Sequence, residues 1–140
     1  MLRGHKGADH LFGDGGDDTL RGGGGKDVLQ GKAGADKLIG YAGHDALYGG
    51  AGADTLTGRA GRDVFILSKG ADVVTDFNLK KDGIGLVYAL DLSFIQNGDD
   101  LLIKGNDGVK TLLLNVDRDD FLAEYPGNLQ LVPAVEVELL

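Results

Sequence analysis

Residues 4–66 are seven consecutive nine-residue copies without an insertion: GHKGADHLF, GDGGDDTLR, GGGGKDVLQ, GKAGADKLI, GYAGHDALY, GGAGADTLT and GRAGRDVFI. An eighth, degenerate copy, LSKGADVVT, follows in register at residues 67–75. In all eight copies position 4 is glycine, position 6 is aspartate and position 8 is apolar. A short fixed period of this kind predicts an architecture in which identical units stack on one another.

Each copy combines a turn with a short strand. Glycine accepts positive φ angles and close backbone approach, so G-x-x-G-x-D predicts a tight turn. The three residues after the aspartate are too few for a helix, and their alternation indicates a strand whose position-8 side chain points inward. Two copies then form one coil, so odd and even copies lie in opposite sheets. We therefore predict an all-β fold, a parallel β-roll of about eight repeats around a thin apolar core.

Stacking places the position-6 aspartates in two columns, one on each edge of the roll. The odd column contains Asp9, Asp27, Asp45 and Asp63, and the even column contains Asp18, Asp36, Asp54 and Asp72. Neighbouring strands lie about 4.8 Å apart, and like charges at such spacing repel and are unfavourable to bury unpaired. A single Asp-Gly turn usually means only a solvated loop. Eight copies in register instead favour calcium, which carboxylates and exposed turn carbonyls can ligate.

The repeats resemble those of the RTX (repeats-in-toxin, haemolysin-type calcium-binding) family. The resemblance implies a calcium ion between successive coils on the same edge, held by the position-6 aspartates of copies i and i+2 and by turn carbonyls. The carbonyl ligands that it implies belong to Gly22, Gly23, Gly24, Gly25, Gly31, Ala33, Gly34, Gly40, Ala42, Gly43, Gly49, Ala51 and Gly52. Pairing the copies along each edge predicts five calcium ions, and a sixth if copies six and eight also pair.

One feature departs from the family pattern. Position 2, which is often glycine in the family, is another residue in five of the seven strong copies: His5, Asp14, Lys32, Tyr41 and Arg59. Because a turn at this position favours glycine, we expect backbone strain there.

Composition limits the function classes. The chain has 140 residues, 25 of them glycine, a net charge of −8 and no cysteine. Glycine loses much entropy on ordering and like charges repel, so we expect the repeats to be disordered without metal, which would replace disulfides as the stabiliser. An acidic chain without a basic stripe argues against nucleic-acid binding. No apolar run is long enough to cross a membrane.

The sequence changes character after residue 66, where glycine thins and apolar runs lengthen. We predict a calcium-binding roll over residues 4–75 and an antiparallel β cap over residues 76–140. The segment DVVTDFNLKKDGIGL, residues 72–86, resembles the motif that ends the roll in the family. Further expectations are a hairpin around residues 97–100, strands at 92–96, 101–104, 109–116, 129–132 and 135–139, and a short helix within 117–125 that begins at Asp117 or Asp119. The tail at 136–140 resembles a type I secretion signal, although a plain last strand explains it equally well.

The two outer faces of the roll differ in polarity. Positions 7 and 9 point outward, and on the odd copies they include Phe12, Val28, Tyr48, Val64 and Ile66. An exposed apolar face usually marks a contact surface, so we expect the cap, a partner domain or a second copy to cover it. The alternative is that such residues simply suit strands.

Nothing in the sequence indicates catalysis. The glycine runs mimic G-x-G-x-x-G, but no strand–turn–helix unit surrounds them. His5, His10 and His44 fall at different repeat positions and form no constellation, and Asp107 and Asp119 are better explained as solvated loop residues than as calcium ligands. Since the first copy begins at Gly4, the chain is either a very small protein or the C-terminal module of a larger one, and we expect the second, with an attached N-terminal domain.

The resemblance implies a calcium-binding, calcium-folded module of a secreted bacterial protein that leaves the cell unfolded through a type I secretion channel. Extracellular calcium would then fill the sites. The alternative is an acidic-polysaccharide-binding module like the repeat modules of secreted alginate epimerases, with Arg21, Lys37 and the threonines of the even face as its candidate residues. A free-standing enzyme is the weakest of the three hypotheses.

Overall fold

The computed structural model describes residues 1–86 and 92–125, in which the chain alternates between two sheets from one nonapeptide to the next. The strands are β1 (Leu2–Lys6), β2 (His10–Phe12), β3 (Thr19–Gly24), β4 (Val28–Ala33), β5 (Lys37–Gly43), β6 (Ala46–Ala51), β7 (Thr55–Gly61), β8 (Val64–Ile66), β9 (Gly70–Val74), β10 (Gly83–Gly85), β11 (Leu92–Asn97), β12 (Asp100–Gly105) and β13 (Val109–Leu113), followed by helix α1 (Arg118–Glu124). The parallel β-roll is confirmed, as a solenoid of about five turns.

Even and odd copies do lie in opposite sheets. The even sheet has the strand order β1-β3-β5-β7-β9-β13-β12-β11, and the odd sheet has the order β10-β8-β6-β4-β2. Strands one coil apart pair in parallel with an offset of 18 residues, as in Leu20↔Leu38 and Leu29↔Leu47. Several strands are longer than the predicted three residues, because positions 1–3 of the next copy continue the ladder, as in β4 and β6.

The position-8 side chains form the core of the roll, as predicted. Each is at most 1% exposed from the second copy onward, in the series Leu20, Leu29, Leu38, Leu47, Leu56, Phe65 and Val74. The same cluster continues into the C-terminal part of the chain through Leu101, Ile103, Leu113 and Phe121. Full burial of such a side chain is worth about 1.5–3 kcal/mol, so one apolar residue per copy makes a thin core.

The C-terminal part extends the even sheet. Strand β13 pairs in parallel with β9, and β12 and β11 follow as antiparallel neighbours. The predicted hairpin is present, with Asn97 opposite Asp100. The predicted helix is α1, whose N-cap is Asp117: its carboxylate accepts the N–H groups of Asp119 and Asp120 at 2.8 and 3.0 Å.

Some expectations need adjustment or fall outside the described residues. The strand expected at 109–116 ends at Leu113. The antiparallel cap is seen in part, because β11, β12 and β13 pair antiparallel whereas β13 joins β9 in parallel. The strands expected at 129–132 and 135–139 and the tail at 136–140 lie outside the described residues.

The outer face of the odd sheet is only partly covered. Val28 and Ile66 are buried and Tyr48 and Val64 are half-buried, whereas Phe12 is 39% exposed. Phe12 lies in the first coil, where the Lys32 ammonium group, 5.1 Å from its ring centroid, is one neighbour. Within the described chain, the cap therefore leaves the N-terminal end of this face open, and cover by a partner domain or a second copy stays a prediction.

Candidate metal centre

The turns are built on glycines that no other residue could replace without a backbone shift. The position-4 glycines have φ between 94° and 145°, a region that favours glycine. A methyl group placed on Gly43 or Gly61 would overlap the position-4 carbonyl oxygen of the preceding coil on the same edge. The invariant glycine therefore lets the turns of successive coils pack directly on one another.

The strain expected at position 2 is confirmed. The five non-glycine residues at this position all have positive φ, between 70° and 83°: His5, Asp14, Lys32, Tyr41 and Arg59. Their side chains stack on neighbours along each edge. The Arg59 guanidinium group lies 4.3 Å from the Tyr41 ring centroid, and Lys32 Nζ lies 3.2 Å from Asp14 Oδ1. Such cation–π contacts contribute about 0.5–1 kcal/mol at exposed sites, which offsets part of the backbone strain.

The two aspartate columns form as the sequence predicts, and hydrogen bonds join their members. Each Oδ1 accepts the backbone N–H of the aspartate one coil earlier. In the odd column the N···O distances are 2.9 Å for Asp9→Asp27, Asp27→Asp45 and Asp45→Asp63. In the even column they are 2.7, 2.8 and 3.1 Å for Asp18→Asp36, Asp36→Asp54 and Asp54→Asp72.

The odd column has a fifth member that the repeat pattern does not assign to it. Asp63 N–H donates to Asp82 Oδ1 at 3.0 Å, and the following residues pair as Gly83↔Val64 and Ile84↔Phe65. Asp82 follows Asp63 by 19 residues, one more than the 18 residues of a coil, so a strict nine-residue repeat pattern does not include it. The sequence does contain a pattern that identifies Asp82 as a column member, because Asp82-Gly83-Ile84 repeats the aspartate-x-apolar order of positions 6 to 8.

The second carboxylate oxygen of most column members is buried without a hydrogen-bond partner. This holds for Oδ2 of Asp9, Asp27, Asp36, Asp45, Asp54 and Asp63. Buried polar atoms in proteins are normally paired, and an unpaired carboxylate oxygen is strongly unfavourable. Six repetitions of the same orphaned atom in equivalent positions indicate that a ligand of positive charge belongs there.

A backbone carbonyl oxygen of the next coil faces the carboxylates of Asp9, Asp27 and Asp36 across the position-1 glycine of their copies. A methyl group on Gly22 would overlap both Asp27 Oδ2 and the carbonyl oxygen of Gly40, one coil later. The same overlap occurs on Gly31, with Asp36 Oδ2 and the carbonyl oxygen of Gly49. Two oxygens that approach one glycine, one of them a carboxylate oxygen without a hydrogen-bond donor, suit a hard cation such as calcium, which takes six to eight oxygen ligands.

The other carbonyls expected as ligands lie in the same turns but are used differently. The position-3 carbonyls accept the position-4 N–H of the preceding coil at 2.7–3.0 Å, at Gly24, Ala33, Ala42 and Ala51. The position-4 carbonyls point at the Cα of the next coil, at Gly25, Gly34, Gly43 and Gly52. Gly23 has φ 121°, and a methyl group there would overlap the carbonyl oxygen of His5. A carbonyl has two lone pairs, so these bonds leave ligand capacity.

Burial makes the ionised columns unfavourable without a cation. Desolvation raises the pKa of Asp45 to about 6 and that of Asp72 to about 7. Desolvation also raises the pKa of Asp27, Asp54, Asp63 and Asp82, and neighbouring carboxylates, which for the last two include Asp76, add to the effect. A bound divalent cation would reverse this balance, since it favours the charged form.

Side chains alone do not form a compact cluster of metal ligands in the described part of the chain. Within residues 1–86 and 92–125, no three His, Asp or Glu side chains gather into a metal-binding group. His44 is a turn residue whose Nδ1 accepts the Arg62 N–H at 2.9 Å. In the same part of the chain, no helix has the length and apolar character needed to span a bilayer.

Known proteins share this repeat and this fold. The profile of the RTX calcium-binding nonapeptide repeat matches residues 1–29, 21–56 and 39–74. No curated protein sequence matches the chain. Among solved structures, a subunit of the mannuronan C5-epimerase from Azotobacter vinelandii is 28% identical with a TM-score of 0.54, over 77% of this chain and 80% of that one. The extracellular lipase LipA from Serratia marcescens is also 28% identical, with a TM-score of 0.61, over 75% of this chain but only 18% of the lipase.

These matches agree with the geometry of the turns. The profile covers the copies that carry both aspartate columns, and the matched repeats bind calcium as a family. The solved structures that the chain resembles come from enzymes. The chain belongs to the RTX calcium-binding nonapeptide repeat family.

Proposed function

We propose that this chain is a module that binds calcium between its coils and needs the ions in order to fold. The observation that carries the proposal is the set of buried Oδ2 atoms without a partner, each lying over a position-1 glycine. Calcium supplies the missing partner. Because the ligand set is complete only when two coils are stacked, binding energy becomes folding energy.

The sites follow the columns. We assign three ions to the odd column, between Asp9 and Asp27, Asp27 and Asp45, and Asp45 and Asp63. Two more belong to the even column, between Asp18 and Asp36 and between Asp36 and Asp54. The ligands are the aspartate carboxylates and the carbonyls of the position-1 glycines Gly22, Gly31, Gly40 and Gly49, supplemented by other turn carbonyls.

A sixth ion between Asp54 and Asp72 would occupy a weaker site. In the eighth copy Leu67 replaces the position-1 glycine, and the Ser68 hydroxyl donates to Asp72 Oδ2 at 2.8 Å. That carboxylate oxygen already has a partner, so it gains less from a cation than the orphaned oxygens do.

Calcium-coupled folding suits a protein that crosses a membrane before it folds. Sites of moderate affinity stay empty at cytosolic calcium levels and fill outside the cell, where calcium is in the millimolar range. The module would thus leave through a type I secretion channel as an unfolded chain and then fold as part of a larger secreted protein with an attached N-terminal domain. The similarity to a lipase that is named extracellular supports a location outside the cell.

Circular dichroism tests the proposal directly. The calcium-free protein at pH 7.5 should lack most β signal, and millimolar calcium should restore it, while the same concentration of magnesium should not. Magnesium demands near-ideal octahedral geometry and gives up water reluctantly. A calcium-free sample with a full β spectrum and no response to calcium would reject the proposal.

A second candidate function is binding of an acidic polysaccharide on the even sheet. Arg3 lies opposite Arg21 in register, Lys37 is exposed on a nearby strand, and Arg21 Nε is buried without a hydrogen bond in the described part of the chain. The similar epimerase subunit belongs to an enzyme named for its action on mannuronan. Titration of mannuronan oligomers into the calcium-loaded protein tests this.

The matched variants are Arg21→Ala, Lys37→Ala and, as a control of equal charge change, Lys26→Ala in an odd-edge turn. Affinity should fall for the first two and not for the third, and it should weaken with salt. Absence of binding in the presence of calcium would rule this function out.

A further inference from the structure

The C-terminal strands of the even sheet present an outer face that differs from the outer face of the roll. Buried and outward residues alternate along these strands. In β12, Leu101 and Ile103 are 0% exposed, whereas Leu102 is half-buried and Lys104 is exposed. The same alternation occurs in β9, β13 and β11. Six of the outward residues are called the cap face: Val73, Ile95, Leu102, Lys104, Lys110 and Leu112.

Four aliphatic side chains of the cap face form one row across the sheet. The register places Val73 opposite Leu112, Leu112 opposite Leu102, and Leu102 opposite Ile95. With strands about 4.8 Å apart, the row is about 14 Å long. Ile95, which is 41% exposed, ends the row on the edge strand β11. On the roll side the position next to Val73 is Thr55, so the aliphatic row belongs to the end of the sheet.

Two lysines lie beside this row and directly opposite each other. Lys104 and Lys110 are partners in register, both are exposed, and each is two residues along its strand from a leucine of the row. Like charges in directly opposite positions of two strands are unfavourable. Neither lysine takes part in an ion pair within residues 1–86 and 92–125. A negatively charged partner would offset this repulsion.

The combination of aliphatic and cationic side chains favours a lipid surface over a sugar chain. A lysine can lay its hydrocarbon stem along apolar surface and keep its ammonium group in a polar layer, as proteins do at membrane interfaces. A polysaccharide laid over the row would press hydroxyl groups against aliphatic carbon, which is unfavourable without hydrogen bonds. No residue of the cap face is aromatic.

We propose that the cap face binds the surface of an anionic lipid membrane. Lys104 and Lys110 contact the phosphate groups, while Ile95 and the rest of the row contact the outermost part of the acyl chains. The protein lies on the membrane and does not span it. This surface is separate from the turns that carry the aspartate columns. It is also five strand spacings, about 24 Å, from Arg21 on β3.

Co-sedimentation with vesicles tests the proposal on the calcium-loaded protein. It should bind vesicles of phosphatidylcholine that contain about 30% phosphatidylglycerol, should not bind phosphatidylcholine alone, and should bind less at high salt. Each lysine near an anionic surface strengthens binding about fivefold, so the double variant Lys104→Ala/Lys110→Ala should bind about 25-fold more weakly. The control is Lys6→Ala/Lys26→Ala, which removes the same charge from odd-edge turns and should bind as the unaltered protein does.

Three results of this experiment would overturn the proposal. The first is no binding to anionic vesicles by the folded, calcium-loaded protein. The second is equal binding by the two double variants, because calcium would then bridge the acidic turns to the lipid. The third is binding of mannuronan oligomers that depends on Lys104 and Lys110, without any binding to vesicles, because the cap face would then recognise a polysaccharide.

Tryptophan fluorescence covers the case in which the lysine variant does not fold. The chain contains no tryptophan, so Ile95→Trp places a single reporter in the row. Its emission should move to shorter wavelength when anionic vesicles are added, because the indole ring enters the membrane interface. The control is Leu122→Trp, since Leu122 is 38% exposed on α1, the helix that packs through Phe121 on the inner side of β11 at Phe94.

The control emission should not move. No shift for Ile95→Trp, or an equal shift for both variants, would overturn the inference. This result is independent of the proposed function: a protein that folds without calcium and still shows the Ile95→Trp shift would reject calcium-coupled folding and support the membrane-binding face.

Discussion

The nonapeptide roll, residues 4–75, and the C-terminal part, residues 76–125, both contribute strands to the even sheet, but different interactions stabilise them. The roll buries the position-8 side chain of each copy from the second onward and a few further apolar side chains such as Val28 and Ile66, together with two columns of carboxylates. The C-terminal part has an aromatic cluster in which Phe121 lies 6.1, 5.7 and 4.9 Å, between ring centroids, from Phe77, Phe94 and Tyr125. The roll therefore needs a cation to offset the burial of its carboxylates, whereas apolar contacts stabilise the C-terminal part.

Removal of calcium should produce the largest difference between the two regions. In the calcium-free protein at pH 7.5, the amides of β3–β8 should exchange with solvent rapidly, because the coils lose the ions that join them. The β11–β12 hairpin amides should keep measurable protection, since that pair carries no column aspartate. Hydrogen exchange with mass spectrometry measures this. Equal loss of protection in both regions would show that they fold only as one unit.

Phe121→Ala should act on the C-terminal part first. Removal of a fully buried phenylalanine generally lowers the free energy of unfolding by about 3–5 kcal/mol, and Phe121 is 0% exposed. Leu122→Ala is the control, because Leu122 is 38% exposed on the same helix, and surface substitutions usually change stability by less than about 0.5 kcal/mol. Thermal unfolding at saturating calcium would measure both. Similar melting temperatures for the two variants would contradict an aromatic core in this region.

Within the roll, inner and outer aspartates should differ. Asp36 faces a coil on either side and bonds to both Asp18 and Asp54, whereas Asp27 is the one column aspartate to which Asp9 bonds within the described structure. Asp36→Ala should therefore damage two sites and raise the calcium concentration at the folding midpoint more than Asp9→Ala, which damages one. A calcium titration followed by circular dichroism gives both midpoints. Equal midpoints would contradict the sharing of each inner aspartate by two ions.

The smallest expected effect is a pH dependence that changes sign with calcium. Burial raises the pKa of Asp45 to about 6 and of Asp72 to about 7, so the folded, calcium-free roll binds protons more tightly than the unfolded chain. Its stability is then greatest at low pH and is lost as pH rises through 6 and 7. Calcium requires the ionised form, so the calcium-bound roll should behave oppositely.

A metal-stripped sample should gain β signal between pH 8 and pH 5, while a sample at limiting calcium should lose bound ions over the same range. Circular dichroism and a calcium-selective electrode measure the two trends. A metal-stripped protein whose β signal falls on acidification to pH 5 would contradict the proposed state of the columns.

The sequence alone determined the features that depend on local rules. A nine-residue period with glycine at position 4 allows only stacked turns, so the two columns and the position-8 core follow from spacing. Helix α1 was also predictable, because Asp117 is a good N-cap before a short amphipathic segment. Positive φ at the non-glycine residues of position 2, such as Tyr41 and Arg59, followed from their place in the same turn.

Only the tertiary structure decided how the roll ends. Asp82 joins the odd column despite a 19-residue separation, because pairing of β10 with β8 sets its register and the extra residue is absorbed in segment 76–82. Likewise, β13 joins the even sheet beside β9 across a long connection. The division of each carboxylate into a bonded Oδ1 and an orphaned Oδ2 also requires two coils in contact. Pairing between distant segments depends on which strand edges are left open, and a local pattern such as Asp82-Gly83-Ile84 does not by itself fix the partner strand or the register.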